Sequence, residues 1–147
     1  MKDIFNTKNF EHMKIQDYKY WRLYLHECQS YIGRVYLLNN NTKASDFIEL
    51  PLDEREEFFQ IGVKIKMTLK DLFFPDKMNY AALSNVFEKL HVHFIPRYKT
   101  KRIFEGIEFV DTRWGQNYAP YEKSFQISFD IQKKLIYKIR ENLTRQT

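Results

Sequence analysis

The residues richest in chemistry lie in one short run, Lys89-Leu90-His91-Val92-His93-Phe94-Ile95-Pro96-Arg97. Side chains two apart in a β-strand share a face. Read as a strand, the run predicts Lys89, His91, His93 and Arg97 along one face, with Pro96 a disturbance before the last step. Leu90, Val92 and Phe94 then turn toward a core. Four cation-capable groups on one face repel one another unless an anion lies among them, and a phosphate chain is a natural occupant. Two plainer readings stand beside this one. A His-x-His pair also serves metal sites, but those need further ligands. Only His12, His26 and Cys28 remain to supply them, and no ligand set follows. The other plain reading is a solvated basic strand face.

The elements that must position this run follow from periodicity. Trp21 to His26 alternates weakly, as a strand does, and Tyr31 to Leu38 predicts a second strand with Gly33 inside it, the mark of a close approach by another backbone. Asn39 to Lys43 carries turn chemistry, and Ala44 to Leu50 predicts a short helical turn. Pro51 to Glu57 then opens a helix with acids near its N-terminus. Phe58, Ile61, Ile65, Leu69 and Leu72 recur at helical spacing and carry it to about Phe73, with Pro75 beyond its end. Met78 to Leu83 and Leu90 to Tyr98 are the next predicted strands, and Arg102 to Val110 another. Thr112 to Tyr121 is a loop, and Ser124 to Leu143 a final helix. The first eighteen or so residues are expected as a peripheral arm. Strands flanking one long helix, with a second helix at the end, indicate an α+β fold rather than alternating βαβ units.

Composition narrows the class. A length of 147 residues suits one domain able to bury a core, and an apolar fraction of 44% with only four Gly and four Pro favours a folded chain over a disordered one. The formal charge of +5 favours anionic partners: phosphorylated small molecules, nucleic acid or an anionic membrane. A single cysteine, Cys28, permits no internal disulfide and agrees with a reducing compartment. No apolar run reaches the length of a membrane span, and Met1 to Asn6 lacks the apolar core of a secretion signal. The expected location is cytoplasmic.

The stretch from His91 to Arg97 resembles the second half of the histidine triad signature, in which three histidines alternate with apolar residues and Pro-Arg often follows. Asn79 to Val86 resembles the strand and turn that lead into that motif, with Asn85 at the amide position that touches phosphate. Gly33 is similar to the glycine of the family's second strand, and Trp114 to Tyr118 to its tryptophan-bearing loop that closes over the site. The likeness spans roughly residues 20 to 121. It implies a mainly antiparallel sheet with one long central helix and a C-terminal helix. The whole of 1–147 would be one domain, with a peripheral arm at 1–20 and a helical extension at 122–147.

The resemblance also implies a chemistry. His91 stands at the position of a nucleophile that attacks an α-phosphorus and forms a transient nucleotidyl-histidine. Imidazole suits the task because it is largely neutral near pH 7. The other ring nitrogen of His91 would be held by a backbone carbonyl. His93 would bond phosphate oxygens or the leaving oxygen, and Asn85 a non-bridging oxygen. Lys89, Arg34 and Arg97 would offset developing charge, and Asn79 and Trp114 complete the implied substrate contacts. Arg97 has a plainer reading, as the partner of an acid on a neighbouring strand. Two positions depart from the family pattern. Lys89 replaces the first triad histidine, a position where one branch carries Gln, and Arg34 stands where several members carry His.

The implied substrates are dinucleoside polyphosphates or related nucleoside phosphate derivatives. No cofactor and no metal are expected, and the expected partner is a second copy of the chain joined sheet edge to sheet edge. Two alternatives stay open: a nucleotide-binding module without turnover, and a basic nucleic-acid-binding domain. The second has only Tyr98-Lys99-Thr100-Lys101-Arg102 in its favour.

Overall fold

A computed structural model describes residues 10–41, 44 and 46–146. The chain runs as β1 (Lys14–Asp17), β2 (Trp21–Leu25), β3 (Val35–Asn39), α1 (Leu52–Phe73), β4 (Lys77–Ala81), β5 (His91–Arg97), β6 (Arg102–Phe104), β7 (Ile107–Phe109) and α2 (Phe129–Arg145). Five strands form one antiparallel sheet in the order β1-β2-β3-β5-β4, and β6 and β7 make a separate hairpin. This is the expected α+β architecture.

Register assigns the two faces of the sheet. Leu38 pairs with His91, Tyr36 with His93, Leu37 with Val92 and Val35 with Phe94. Paired residues share a face, so Tyr36, Leu38, His91 and His93 lie on one side. Leu37, Val35, Val92 and Phe94 lie on the other, against α1. Phe58 of α1 packs its ring on Trp21 and on Phe94. Phe58, Ile61, Ile65 and Leu69 form the buried stripe of that helix as the sequence predicts, but Phe73 completes it in place of the expected Leu72, which is only partly buried. The helix stops at Phe74, whose φ of 52° is left-handed and whose N–H returns to the Lys70 carbonyl.

Several boundaries differ from the sequence reading. Residues 14–17, expected in a peripheral arm, form edge strand β1, because Met13 and Ile15 are buried beside β2 and α2. The first nine residues of that arm lie outside the described ones, as do Thr42, Lys43 and Ser45 of the predicted turns. A 3-10 turn at Phe47–Glu49, capped by the Asp46 side chain, supplies the short helical turn. The second predicted strand starts late, at Val35, because Gly33 sits in the turn before it with φ of 89°. The close approach there is by side chains: a Cβ on Gly33 would meet Phe73 at 2.9 Å and Leu69 at 3.0 Å. The final helix starts at Phe129, not Ser124, because the Ser128 hydroxyl caps it by accepting the Ile131 N–H. Among the described residues no helix is long and apolar enough to cross a membrane.

Candidate active site

A cavity of about 850 Å³ opens over the His91 and His93 face. Several segments build it. Strand β5 supplies His91 and His93, and the β2–β3 connection supplies His26 and Arg34 at its two ends. The β4–β5 connection supplies Leu83 to Phe87, including Asn85. The segment after β7 supplies Tyr118, Tyr121, Lys123 and Gln126, and α2 adds Gln132. The late start of α2 matters here, since Phe125, Gln126 and Ile127 stay outside the helix and form part of this wall.

His91 is buried, and its Nδ1 lies 2.8 Å from the Lys89 carbonyl oxygen. A carbonyl only accepts, so Nδ1 carries the proton and the neutral ring is unprotonated at Nε2. Burial lowers the pKa of His91 below the usual 6.5, partly offset by that hydrogen bond. His93 lies one step along β5, its ring centroid 5.0 Å from that of His91. Its Nδ1 is 3.4 Å from Nη2 of Arg34, a donor, so the His93 proton belongs on Nε2. Burial, then the Arg34 charge, push the pKa of His93 down to about 3.

Arg34 is the least ordinary group in the site. It is 2% exposed, it forms no ion pair with a described carboxylate, and its Nε and Nη1 are buried without hydrogen-bond partners. The guanidinium carbon lies 4.7 Å from the Tyr121 ring centroid and 5.3 Å from that of Tyr118. Those aromatic faces return part of the lost hydration. A buried charge left without a counter-ion still costs several kcal/mol as an order of magnitude.

The structure brings together His91, His93, Arg34 and Asn85 of the residues singled out in the sequence, and it sets four others apart. Lys89 precedes β5 rather than lying in it, so its side chain leaves the predicted row and rests 5.9 Å from the Phe87 ring. Arg97 keeps its face but is bound elsewhere. Its Nε donates to Asp111 at 2.7 Å, and its Nη atoms donate to Asn79 Oδ1 and to the Gln116 and Arg113 carbonyls. Asp111 neutralises it, as the plainer reading expected of an acid, but that acid follows β7 instead of lying on a strand beside β5. Asn79 is a ligand of Arg97, and Trp114 stands near Lys99. None of Lys89, Arg97, Asn79 or Trp114 lines the cavity. The loop does reach the site, but through Tyr118, the last residue of the stretch likened to the family's loop, and Tyr121, which the sequence did not mark. His26 was also missed as a site residue, although its place two beyond Tyr24 on an alternating strand puts it on the right face. Among the described residues no group of three or more His, Cys, Asp or Glu side chains is arranged to hold a metal ion.

No protein-family model matches the sequence, and no curated protein matches it. Solved structures do match the fold. A histidine triad protein of Marinobacter aquaeolei superposes with a TM-score of 0.76 at 19% identity, covering 95% of this chain and 96% of that one. A histidine triad protein of Bradyrhizobium japonicum gives 0.74 at 18%, covering 92% and 94%. One from Sinorhizobium meliloti gives 0.72 at 21%, covering 92% and 93%. The fold of this chain is the histidine triad fold.

Proposed function

We propose that the chain is a nucleotide hydrolase or nucleotidyl transferase that works at an α-phosphorus through His91. The observation that carries this reading is Arg34, a buried guanidinium with no carboxylate partner among the described residues, beside His93 in the cavity that holds His91. A phosphate group is the missing counter-charge, and Arg suits it by geometry as well as sign. In the first step Nε2 of His91 bonds to phosphorus and the bond from phosphorus to the leaving oxygen breaks. In the second, water or another hydroxyl acceptor forms a new P–O bond and gives its proton to solvent, and the His91 nitrogen leaves with its electron pair. Arg34, the His93 Nε2–H and the Asn85 amide stabilise charge on the non-bridging oxygens. Lys89 contributes its carbonyl, which fixes the His91 tautomer; its side chain is not needed for the step.

The substrate class favoured is a dinucleoside polyphosphate or a related nucleoside phosphate derivative. Mass spectrometry of the intact protein, after incubation with adenine and guanine nucleotides and their dinucleoside polyphosphates, tests it. A nucleotidyl adduct lost in His91→Asn, with mononucleotide product in solution, is expected. Binding with neither adduct nor product would leave a binding module without turnover.

We further propose that the working form is a homodimer. Strand β4 is an unpaired sheet edge, and an apolar groove of about 520 Å³ runs beside it. Tyr80, Phe59 and Val63 line that groove and are more than half exposed. Pairing with a second β4 covers both features.

A further inference from the structure

Three imidazoles, not two, meet at this site, and the third comes from a different strand. His26 follows β2 directly, and its backbone N–H donates to the Arg34 carbonyl at 3.0 Å, which fixes it beside Arg34 at the open end of the sheet. The ring is 8% exposed, and its centroid lies 5.5 Å from His93 and 6.1 Å from Tyr121. The Cys28 backbone N–H reaches Nδ1 at 3.0 Å, while the Cys28 carbonyl oxygen lies farther from the same nitrogen, at 3.3 Å. The shorter contact is the hydrogen bond and only a lone pair accepts it, so in the neutral ring the proton sits on Nε2. No described residue takes the Nε2–H, and His26 lines the cavity.

We propose that His26 is an anion-binding residue of the site, donating its Nε2–H to a phosphate oxygen held by Arg34 and His93. The inference rests on the phosphate reading given above. The geometry explains why the neighbourhood of Arg34 holds two histidines rather than two further cations. A second fixed positive charge next to the buried guanidinium would be repelled, whereas a neutral imidazole turned by its Nδ1 partner presents a donor without adding charge. Burial and the Arg34 charge keep the pKa of His26 well below the usual 6.5, in line with that neutral role. His91 and His26 therefore face the substrate in opposite senses. The Nδ1–H of His91 is spent on a carbonyl and leaves Nε2 a lone pair, while the Nδ1 of His26 accepts an amide proton and leaves Nε2 a donor.

Long-range proton–nitrogen correlation spectra of the full chain, titrated with inorganic phosphate, test this directly. The expected spectrum shows His26 and His93 as Nε2–H tautomers and His91 as the Nδ1–H tautomer, with the Nε2 resonances of both His26 and His93 shifting as phosphate binds. A merely structural His26 would not move with phosphate. Movement of His93 with a silent His26, or an Nδ1–H tautomer at His26, overturns the proposal while leaving the phosphate site in place. Silence from both rings removes the phosphate site and this proposal with it. Two variants extend the test. His26→Gln keeps a donor and should bind phosphate within about twofold of the parent, whereas His26→Leu should lose roughly tenfold, the size of one lost hydrogen bond to a charged group. Equal affinity in the folded Leu variant and the parent would also overturn it.

Discussion

The Lys89 carbonyl oxygen holds Nδ1 of His91 at 2.8 Å, so position 89 acts on its neighbour through the backbone. The Lys89 side chain lies outside the cavity lining, over Phe87. A change of side chain at 89 therefore leaves the His91 tautomer as it is. Removing the His91 imidazole deletes the proposed bond to phosphorus.

The first prediction follows from that pair. His91→Asn should abolish turnover of a dinucleoside polyphosphate while mononucleotide affinity survives, and Lys89→Gln should cost less than about tenfold, under about 1.4 kcal/mol of barrier. Product formation followed by chromatography decides it. An active His91→Asn enzyme would sink the covalent mechanism.

Arg34 sets up the second. Arg34→Met removes a buried charge with no acidic partner among the described residues, so the free protein should be as stable as the parent or more so. Phosphate affinity should fall by roughly tenfold or more, the scale of a lost charged hydrogen bond. Thermal melts with and without phosphate separate the two effects. A large drop in Tm without ligand would show that Arg34 is structural.

A third concerns pH. The pKa of His93 is about 3 in the fold against 6.5 when unfolded. Above pH 6.5 both states are neutral and His93 adds no pH dependence. Between 6.5 and 3 the unfolded chain binds a proton that the folded chain does not, so stability falls as pH falls, by at most about 1.4 kcal/mol per pH unit, and levels off below 3. Urea midpoints at pH 7.5 and 5.5 should therefore differ less in His93→Asn than in the parent. An unchanged difference would mean that His93 is protonated in the fold.

Gly33→Ala is the fourth. It places a Cβ at a left-handed φ of 89° and within 2.9 Å of Phe73. Strain and overpacking together should destabilise the fold by about 2–4 kcal/mol. A urea midpoint within error of the parent would mean the turn relaxes.

The last addresses association. Tyr80→Lys with Phe59→Glu places charges on both sides of the apolar groove at β4. Sedimentation should show a dimer for the parent and a monomer for the double variant, with the secondary structure intact. A monomeric parent at tens of micromolar, as an order of magnitude for stable association, would refute the dimer.

What the sequence determined is what repeats over short range. The two-residue alternation from His91 to Arg97 set the strand and its faces, and the spacing of Phe58, Ile61, Ile65 and Leu69 set the long helix, because side-chain direction follows backbone period. The motif around His91 and His93 was legible for the same reason. Partner choice was not. Arg97 looked like one more cation in a row until packing brought Asp111 to it from fourteen residues away. Arg34 looked like the same kind of cation, yet the fold gives it two tyrosine rings and no acid among the described residues. His26 and Tyr121 are 95 positions apart by their numbers, and the strand order together with the late start of α2 brings them into one cavity wall. Which charges are neutralised within the fold and which are not depends on contacts between distant segments, and only the tertiary structure decides those.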